Sequence, residues 1–291
     1  MSASTPWSNG FAAVCCSKTE RVGRDGFLRL SFERRGARTV LTAARMSPPL
    51  QVMAPIELAD GSVYVVLLNN GGGLLGGDRI RIEIALGAES VARITTASAG
   101  KLYRTSGNAT THETTIRLAA GARLDYLPDH LIPHAGANLI QRLIVAMERG
   151  SRAILYGAFA AGRIGRGERF AFRRIEDSIE VGYGGRPILR SRAILEPGTR
   201  PHDSIGVMGR FNYLASLVVA GESSEWDSIA KSLNASLAAA DVNGGASPLR
   251  ADGCVARWLT PDAETLRRSM AMLYSEGAGR AFDESAPRLR K

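Results

Sequence analysis

The chain has 291 residues, of which 45% are hydrophobic, and carries a formal net charge of +9 at pH 7. This length and apolar content suffice for one large core or two moderate ones. The three cysteines, Cys15, Cys16 and Cys254, exclude a disulfide framework and favour a reducing compartment. No apolar run approaches the roughly 18 residues that a membrane span requires, and no leader pattern opens the chain, so we expect a cytoplasmic protein without a membrane anchor.

Arginine dominates the positive charge, because only four of the 37 basic residues are lysine. The arginines are dispersed along the chain, whereas nucleic-acid binders usually gather basic residues on one face with aromatics between them. An acidic protein partner is therefore the favoured explanation of the charge. An Arg-rich β protein associated with nucleic acid is the competing interpretation.

Short strands are predicted throughout the first 200 residues. Period-two alternation of apolar and polar residues predicts strands over 27–33, 79–86, 91–96, 114–118, 124–127, 139–147, 170–175, 179–183 and 188–195, and the apolar run 63–68 predicts a buried strand. Strands that recur about every ten residues, between Gly, Pro and Asp turn signals, are typical of stacked sheets.

The pattern changes after residue 200. A strand is predicted over 207–219, and apolar residues then recur at helical spacing from 226 to 237, behind Ser223 and Ser224 as candidate N-caps. Another strand over 254–259 precedes a second helix, for which Thr260 is the candidate cap. Residues 242–253 are predicted to be a loop.

The predicted fold class is mainly β, with stacked antiparallel or mixed sheets and a small C-terminal β-α-β-α segment that carries two helices. The predicted organisation is a disordered or loosely ordered N-terminus (1–20), a β-rich body (21–200), an α/β segment packed on that body (201–282) and a basic tail (283–291).

The run Asn69–Asp78 reads Asn-Asn-Gly-Gly-Gly-Leu-Leu-Gly-Gly-Asp and satisfies the dinucleotide pattern G-x-G-x-x-G. A dinucleotide site also needs a helix directly after the glycines, so that the helix N-terminus can hold the pyrophosphate. Arg79–Leu86 instead alternates strictly and predicts a strand. A P-loop is excluded as well, because Asp78 stands where its lysine is required. The run is therefore a connection between strands, and Asp78 is its candidate functional side chain.

Catalytic motifs are not found in the sequence. His112 is followed by Glu113, as in H-E-x-x-H, but Ile116 replaces the second histidine. His130 and His134 are four residues apart, but neighbouring prolines argue against the helix that would align them. These histidines are either ordinary loop or partner-surface residues or weak soft-metal contacts.

Lys101, Tyr103 and Arg104 form a short polar segment with two open interpretations. They are either the solvated end of a strand or an anion site. The second interpretation leaves an enzyme that binds an acidic metabolite as a third functional hypothesis.

Four motifs, in order, resemble a known family. Gly72-Gly73-Leu74-Leu75-Gly76-Gly77-Asp78-Arg79 is similar to its signature G-G-hydrophobic-x-G-G-D, and residues 95–104, ending in Lys101-Leu102-Tyr103-Arg104, resemble its T-T-x-x-A-x-K-x-Y-R segment. Residues 127–137 resemble its L-P-x-x-x-I-x-x-x-G-A loop, and Gly162-Arg163 followed by Gly167-Glu168-Arg169-Phe170 resembles its G-R-x-x-x-G-E-x-F turn. Over roughly residues 26–270 the chain is thus similar to the urease accessory protein family UreD, also called UreH.

This resemblance implies a mostly β fold with two helices and a role as a nickel-insertion chaperone. Such a chaperone docks on apo-urease and, through a UreF-type accessory protein, recruits a UreG-type GTPase that supplies Ni²⁺. The resemblance implies a scaffold with an internal passage for the metal, no catalytic activity of its own and no tightly bound cofactor beyond Ni²⁺ in transit. It makes Asp78 and Glu168 candidate oxygen ligands, and His130 and His134 candidate weak nickel contacts. A structural alternative for Asp78 is a hydrogen bond to the backbone of its own turn.

The chain departs from the family pattern in two places. The family usually carries an acidic residue shortly before the G-R turn, where this chain has Tyr156-Gly157-Ala158, and often another where it has Arg190-Ser191-Arg192. If those acids line the metal passage elsewhere, this passage carries less negative charge or uses His130 and His134 instead.

Overall fold

The computed structural model describes residues 25–199 and 201–282. The N-terminus and basic tail predicted over 1–20 and 283–291 lie outside the described residues. The strands are β1 (Asp25–Arg35), β2 (Arg38–Ser47), β3 (Leu50–Val52), β4 (Ile56–Glu57), β5 (Val63–Asn69), β6 (Arg79–Leu86), β7 (Val91–Thr96), β8 (Gly100–Leu102), β9 (Thr110–Leu118), β10 (Arg123–Leu127), β11 (Leu131–Pro133), β12 (Asn138–Met147), β13 (Arg152–Ala160), β14 (Arg174–Tyr183), β15 (Arg186–Leu195), β16 (Tyr213–Ala220), β17 (Asn243–Pro248) and β18 (Gly253–Thr260). The helices are α1 (Trp226–Ala239) and α2 (Ala263–Phe282), and a short 3-10 helix spans Ile164–Arg166.

The strands form two stacked sheets. The first sheet has the order β15-β14-β12-β9-β6-β1-β2, and the second has the order β17-β18-β16-β13-β10-β7-β5-β3, with β4, β8 and β11 paired off this path. From β5 to β14 the long strands alternate between the sheets, so their neighbours within each sheet run parallel. Antiparallel pairs such as β1–β2 and β14–β15 lie at the edges. The predicted mainly β class, with stacked mixed sheets and two helices, is confirmed.

Two apolar cores hold these layers together. One core fills the space between the sheets, and the other lies between the outer face of the second sheet and the two helices. In the second core, Trp258 of β18 donates its indole N–H to Ser269 of α2 at 2.9 Å. Because the second sheet is covered on both faces, β13 reads as a continuous apolar run rather than an alternating one. This is why the alternation pattern did not predict β13.

The outer face of the first sheet carries arginines interleaved with carboxylates. Arg29 of β1 contacts Glu83 of β6 at 2.7 Å, and Arg79 contacts Asp25 at 2.5 Å. These ion pairs neutralise part of the positive charge within the sheet, which weakens the argument for a phosphate-binding face. Neither helix among the described residues is long and apolar enough to span a membrane.

Two predicted strands begin too early. Residues 170–173 form bends, because Phe170 adopts a left-handed conformation, with φ of +54°, and packs against Phe172. Strand β14 then runs unbroken to Tyr183. The strand predicted from 207 begins at Tyr213, after a series of turns in which Val207 N–H donates to the carbonyl of Ser204.

The loop predicted over 242–253 is wrong, because it contains β17. This strand reads Asn-Gly-Gly-Ala-Ser-Pro and has low intrinsic strand propensity. It pairs with β18, and its other side is held by Asn234 of α1, whose amide accepts from Ala246 N–H at 2.9 Å and donates to Ala246 O at 2.8 Å. Tertiary contacts therefore override the local sequence.

Both predicted helix caps are also wrong. The N-cap position of α1 is Glu225, and Ser223 instead accepts the Glu225 N–H from outside the helix. In α2 the capping side chain is Asp262, whose Oδ1 accepts the Thr265 N–H at 2.8 Å, so Thr260 remains at the end of β18.

Candidate functional site

The four motifs lie together at one end of the two sheets. The Tyr103 hydroxyl donates to the carbonyl of Gly72 at 3.2 Å, and the Tyr103 ring meets His134 edge-on, with 4.8 Å between ring centres. One residue further on, Ala135 N–H donates to Glu168 at 3.1 Å. Contacts thus run from the first motif to the fourth, and we call this region the motif end.

The glycine run forms a turn that packs directly on the second motif. Leu74 N–H donates to the carbonyl of Lys101, and Leu74 O accepts from Tyr103 N–H, both at 2.8 Å. Gly73 has φ of +154°, and a Cβ there would lie 2.6 Å from the Tyr103 ring and 2.8 Å from Lys101 O. The close approach therefore requires glycine. The other signature glycines of the turn are Gly72, Gly76 and Gly77.

The element after this turn is the strand β6, which confirms the strand prediction for Arg79–Leu86. A strand and not a helix follows the glycines, so that side offers no helix N-terminus for a pyrophosphate, and the Cβ position of Gly73 is closed by Tyr103 and Lys101.

Asp78 serves the turn in which it lies. Its side chain is 5% exposed, and Oδ2 accepts the Leu75 N–H at 2.8 Å. Its own N–H donates to Leu75 O at 3.1 Å, and its carbonyl accepts from Thr111 at 2.8 Å. The structural alternative for Asp78 is thus realised, because one oxygen of the carboxylate that was to face a metal is bound to the backbone of its own turn.

The second motif places two cations at the surface. Lys101 and Arg104 are exposed, whereas Tyr103 is half-buried between the glycine turn and His134. Burial lowers the pKa of His134, and the positive charge of Arg163 lowers it further. His134 is therefore neutral at pH 7.

The fourth motif is built around an ion pair. Arg163 donates through Nε to Glu168 at 2.7 Å and through Nη2 to the other carboxylate oxygen, a two-point contact. Hydrogen bonding from Arg163 lowers the pKa of Glu168 to about 2. Gly162 has φ of +146°, and a Cβ there would overlap the Glu168 carbonyl. The fourth motif therefore holds the Glu168 carboxylate in place to accept the Ala135 N–H of the third motif.

His130 and His134 lie on either side of β11, so the predicted absence of a shared helix is confirmed. The His130 ring packs edge-on against Tyr213, with 5.3 Å between ring centres. In the described ranges, no group of three or more His, Cys, Asp or Glu side chains is placed to hold a metal ion. Asp78, Glu168 and the two histidines do not form one ligand cluster, and their nickel role stays a prediction.

A cavity of about 270 Å³ lies between the sheets, next to the motif end. Its wall contains Gly73 of the glycine turn and residues 156–158, where the family pattern would place an acid. It also reaches the exposed Ser98 and Lys101, so the cavity approaches the surface at the motif end. The four predicted nickel contacts are not among the described residues that line it.

Three polar side chains cross the inner face of the first sheet within this cavity. His112 of β9 lies opposite Gln141 of β12, which lies opposite Asp177 of β14. His112 Nδ1 is 3.1 Å from Gln141 Oε1, and Gln141 Nε2 donates to Asp177 at 2.9 Å. Burial lowers the pKa of His112 and raises that of Asp177. We call His112, Gln141 and Asp177 the cavity row.

Sequence reasoning missed the cavity row. His112 was considered only as part of a failed zinc motif, and Gln141 and Asp177 were assigned no role. The available signal was that each lies at an inward position of an alternating strand, interrupting an apolar face. Strand register, which places the three side by side, is not readable from that alternation.

Comparison with known proteins agrees with this arrangement of motifs. A family model described as UreD urease accessory protein matches residues 24–291. Proteins named Urease accessory protein UreD are similar to the chain in Herpetosiphon aurantiacus (32% identity over 272 residues, 91% of this chain and 94% of that protein), Haloarcula marismortui (29% over 294 residues, 98% and 97%) and Sorangium cellulosum (33% over 266 residues, 88% and 83%). The chain therefore belongs to the UreD urease accessory protein family.

Proposed function

We propose that this chain is a scaffold that docks on apo-urease and helps to deliver Ni²⁺ to it. Family membership assigns the chain to urease maturation. The nickel role, the docking and the non-catalytic character are the proposed part. Partners in this proposal are a UreF-type accessory protein and a UreG-type GTPase, and the chain itself holds Ni²⁺ only in transit.

The inter-sheet cavity is the observation that carries the proposal. It combines mostly apolar walls with the polar cavity row, and it approaches the surface at the motif end. A metal ion crossing such a space meets few strong ligands, which favours release over retention. In this proposal Asp78 and Glu168 hold the motif end in shape, while His130 and His134 remain predicted contacts outside the cavity.

Charge supports association with an acidic partner. The net charge of +9 would speed the encounter with such a partner, although affinity would have to come from contacts at the interface. The nucleic-acid alternative gains no support from the comparisons or from the paired arginines of the first sheet.

The proposal is tested by filling the cavity at Gly157. A Cβ added at Gly157 meets only Ser216 Oγ, at 4.0 Å, and the backbone there is not left-handed, so a side chain can be introduced at this position of the cavity wall. We expect Gly157→Phe to reduce the nickel content of urease in cells that express the complete urease operon. Gly157→Ala is the matched control and should preserve nickel loading.

Co-purification distinguishes a variant whose cavity is blocked from a variant that no longer assembles with its partners. Tagged wild-type chain and both Gly157 variants should retain the UreF-type protein and apo-urease to the same extent. The proposal fails if the wild-type chain captures neither partner. The proposed route of Ni²⁺ through the cavity is refuted if the Gly157→Phe variant fills the cavity, keeps both partners and still supports normal nickel loading of urease.

A further inference from the structure

We infer that His112 is a contact for a divalent metal ion inside the inter-sheet cavity, through its Nε2 atom. Gln141 and Asp177 orient the imidazole for this role. The inference rests on the proposed function for the identity of the cargo, Ni²⁺, and it concerns residues that none of the four family motifs contains.

Strand register sets the geometry. β9, β12 and β14 are consecutive parallel strands, and the three side chains occupy matched positions on them. Neighbouring strands lie about 4.8 Å apart, which allows an amide to bridge an imidazole and a carboxylate. The adjacent row in the cavity wall, Ile82, Thr114, Leu143 and Ile179, is mostly apolar. Across β9, β12 and β14, the polar cavity row is thus followed by a mostly apolar level of the first sheet.

The hydrogen bonds fix which nitrogen of His112 carries the proton. The Asp177 carboxylate accepts a hydrogen bond, so Gln141 must direct its NH₂ group to Asp177 and its oxygen to His112. An amide oxygen only accepts, and therefore Nδ1 of His112 donates. In the neutral ring this leaves the lone pair on Nε2.

This arrangement is the one that orients metal-binding histidines in general. Such histidines usually donate their second ring N–H to a carbonyl, carboxylate or water, which fixes the ring and raises its basicity. Imidazole is a suitable ligand for Ni²⁺. His112 is the single histidine among the described residues that line the cavity. One imidazole supplies one ligand, so the ion would keep water on its other positions.

The test uses the full chain with ¹⁵N-labelled histidine, which gives four side chains to observe, and NiSO₄ as the probe. Without metal, the ¹⁵N shifts should show His112 as the neutral Nδ1–H tautomer. On addition of substoichiometric Ni²⁺, which is paramagnetic, the His112 signals should broaden before those of the other histidines. Gln141→Leu keeps the imidazole but removes its orienting acceptor, and should weaken this effect.

His112→Gln and His130→Gln form the matched pair. His112→Gln should abolish the first phase of broadening, and His130→Gln should leave it intact. The inference is overturned if Ni²⁺ broadens other histidines first in the wild-type chain, or if only His130→Gln removes the effect. Because the wild-type titration is decisive by itself, failure of a variant to fold does not remove the test.

Nickel loading of urease distinguishes this inference from the proposed function. If the wild-type chain does not increase the nickel content of urease over a strain that lacks it, the proposed function fails. If it does, and another histidine responds to Ni²⁺ before His112, only the His112 contact is overturned.

Discussion

Replacing Asp78 separates its structural role from a role as a nickel ligand. In Asp78→Ala the Leu75 N–H loses an acceptor at 2.8 Å, on a side chain that is only 5% exposed. A hydrogen bond to a charged group contributes about 1.5–3 kcal/mol. We therefore expect the free energy of unfolding to fall by about 2 kcal/mol, which corresponds to a decrease in Tm of about 3 °C in a chain of 291 residues.

Asp78→Asn is the control. Its amide oxygen can accept the same Leu75 N–H, but it carries no charge to attract Ni²⁺. If the turn is what Asp78 serves, the Asn variant should recover most of the stability and should support urease activation at normal protein levels. Urea unfolding followed by circular dichroism gives the stability, and urease activity of the operon gives the function.

Two results would refute this reasoning about Asp78. An Asn variant that unfolds like the wild type but leaves urease inactive would show that the negative charge is needed, as the metal-ligand hypothesis requires. An Ala variant as stable as the wild type would show that the buried hydrogen bond does not stabilise the turn.

Three further predictions test the packing around the motifs and the helices. Gly73→Ala should lower the free energy of unfolding by about 2–4 kcal/mol through backbone strain and overpacking. At Gly107 an added Cβ meets no atom, so Gly107→Ala should change it by less than about 0.5 kcal/mol. Equal effects of the two variants in urea unfolding would contradict the close approach of Gly73 to Tyr103 and Lys101. The ion pair of Glu168 lowers its pKa to about 2, so its stabilisation is present above the ordinary value of 4.5 and is lost as the pH falls towards 2. The stability difference between wild type and Glu168→Gln should therefore shrink over that window, and a difference independent of pH would be inconsistent with it. Tyr274→Phe removes the 2.7 Å hydrogen bond to the fully buried Asp125 and should cost about 1.5–3 kcal/mol, with faster proteolysis of α2; unchanged proteolysis and stability would count against this anchor.

The alternation of apolar and polar residues was sufficient to predict a strand where only one face of that strand is buried. Arg79–Leu86 alternates strictly in burial, and its bounds were predicted without error. β13 is buried on both faces and was missed, whereas β17 was taken for a loop because its residues have low strand propensity. In both cases the deciding contacts come from other elements of the fold, which the pattern within the strand itself does not contain.

The candidate site likewise has one part that the sequence predicted and one part that it did not. The motif end could be anticipated because its glycines, Arg163 and Glu168 occur in recognisable local patterns. The cavity row could not, because 29 residues separate His112 from Gln141 and 36 separate Gln141 from Asp177. Only the parallel register of three strands brings them together.

The glycine turn resembles a dinucleotide motif because both meet the same physical requirement. Each needs backbone without side chains so that another group can approach closely. In a dinucleotide site that group is a pyrophosphate at a helix N-terminus, whereas here it is the Lys101 carbonyl and the Tyr103 ring. The motifs that identify the family therefore encode how its loops pack on one another. The cavity row lies outside all of them, so on the proposed function we expect variants of His112, Gln141 and Asp177 to alter metal handling while the motif end stays intact.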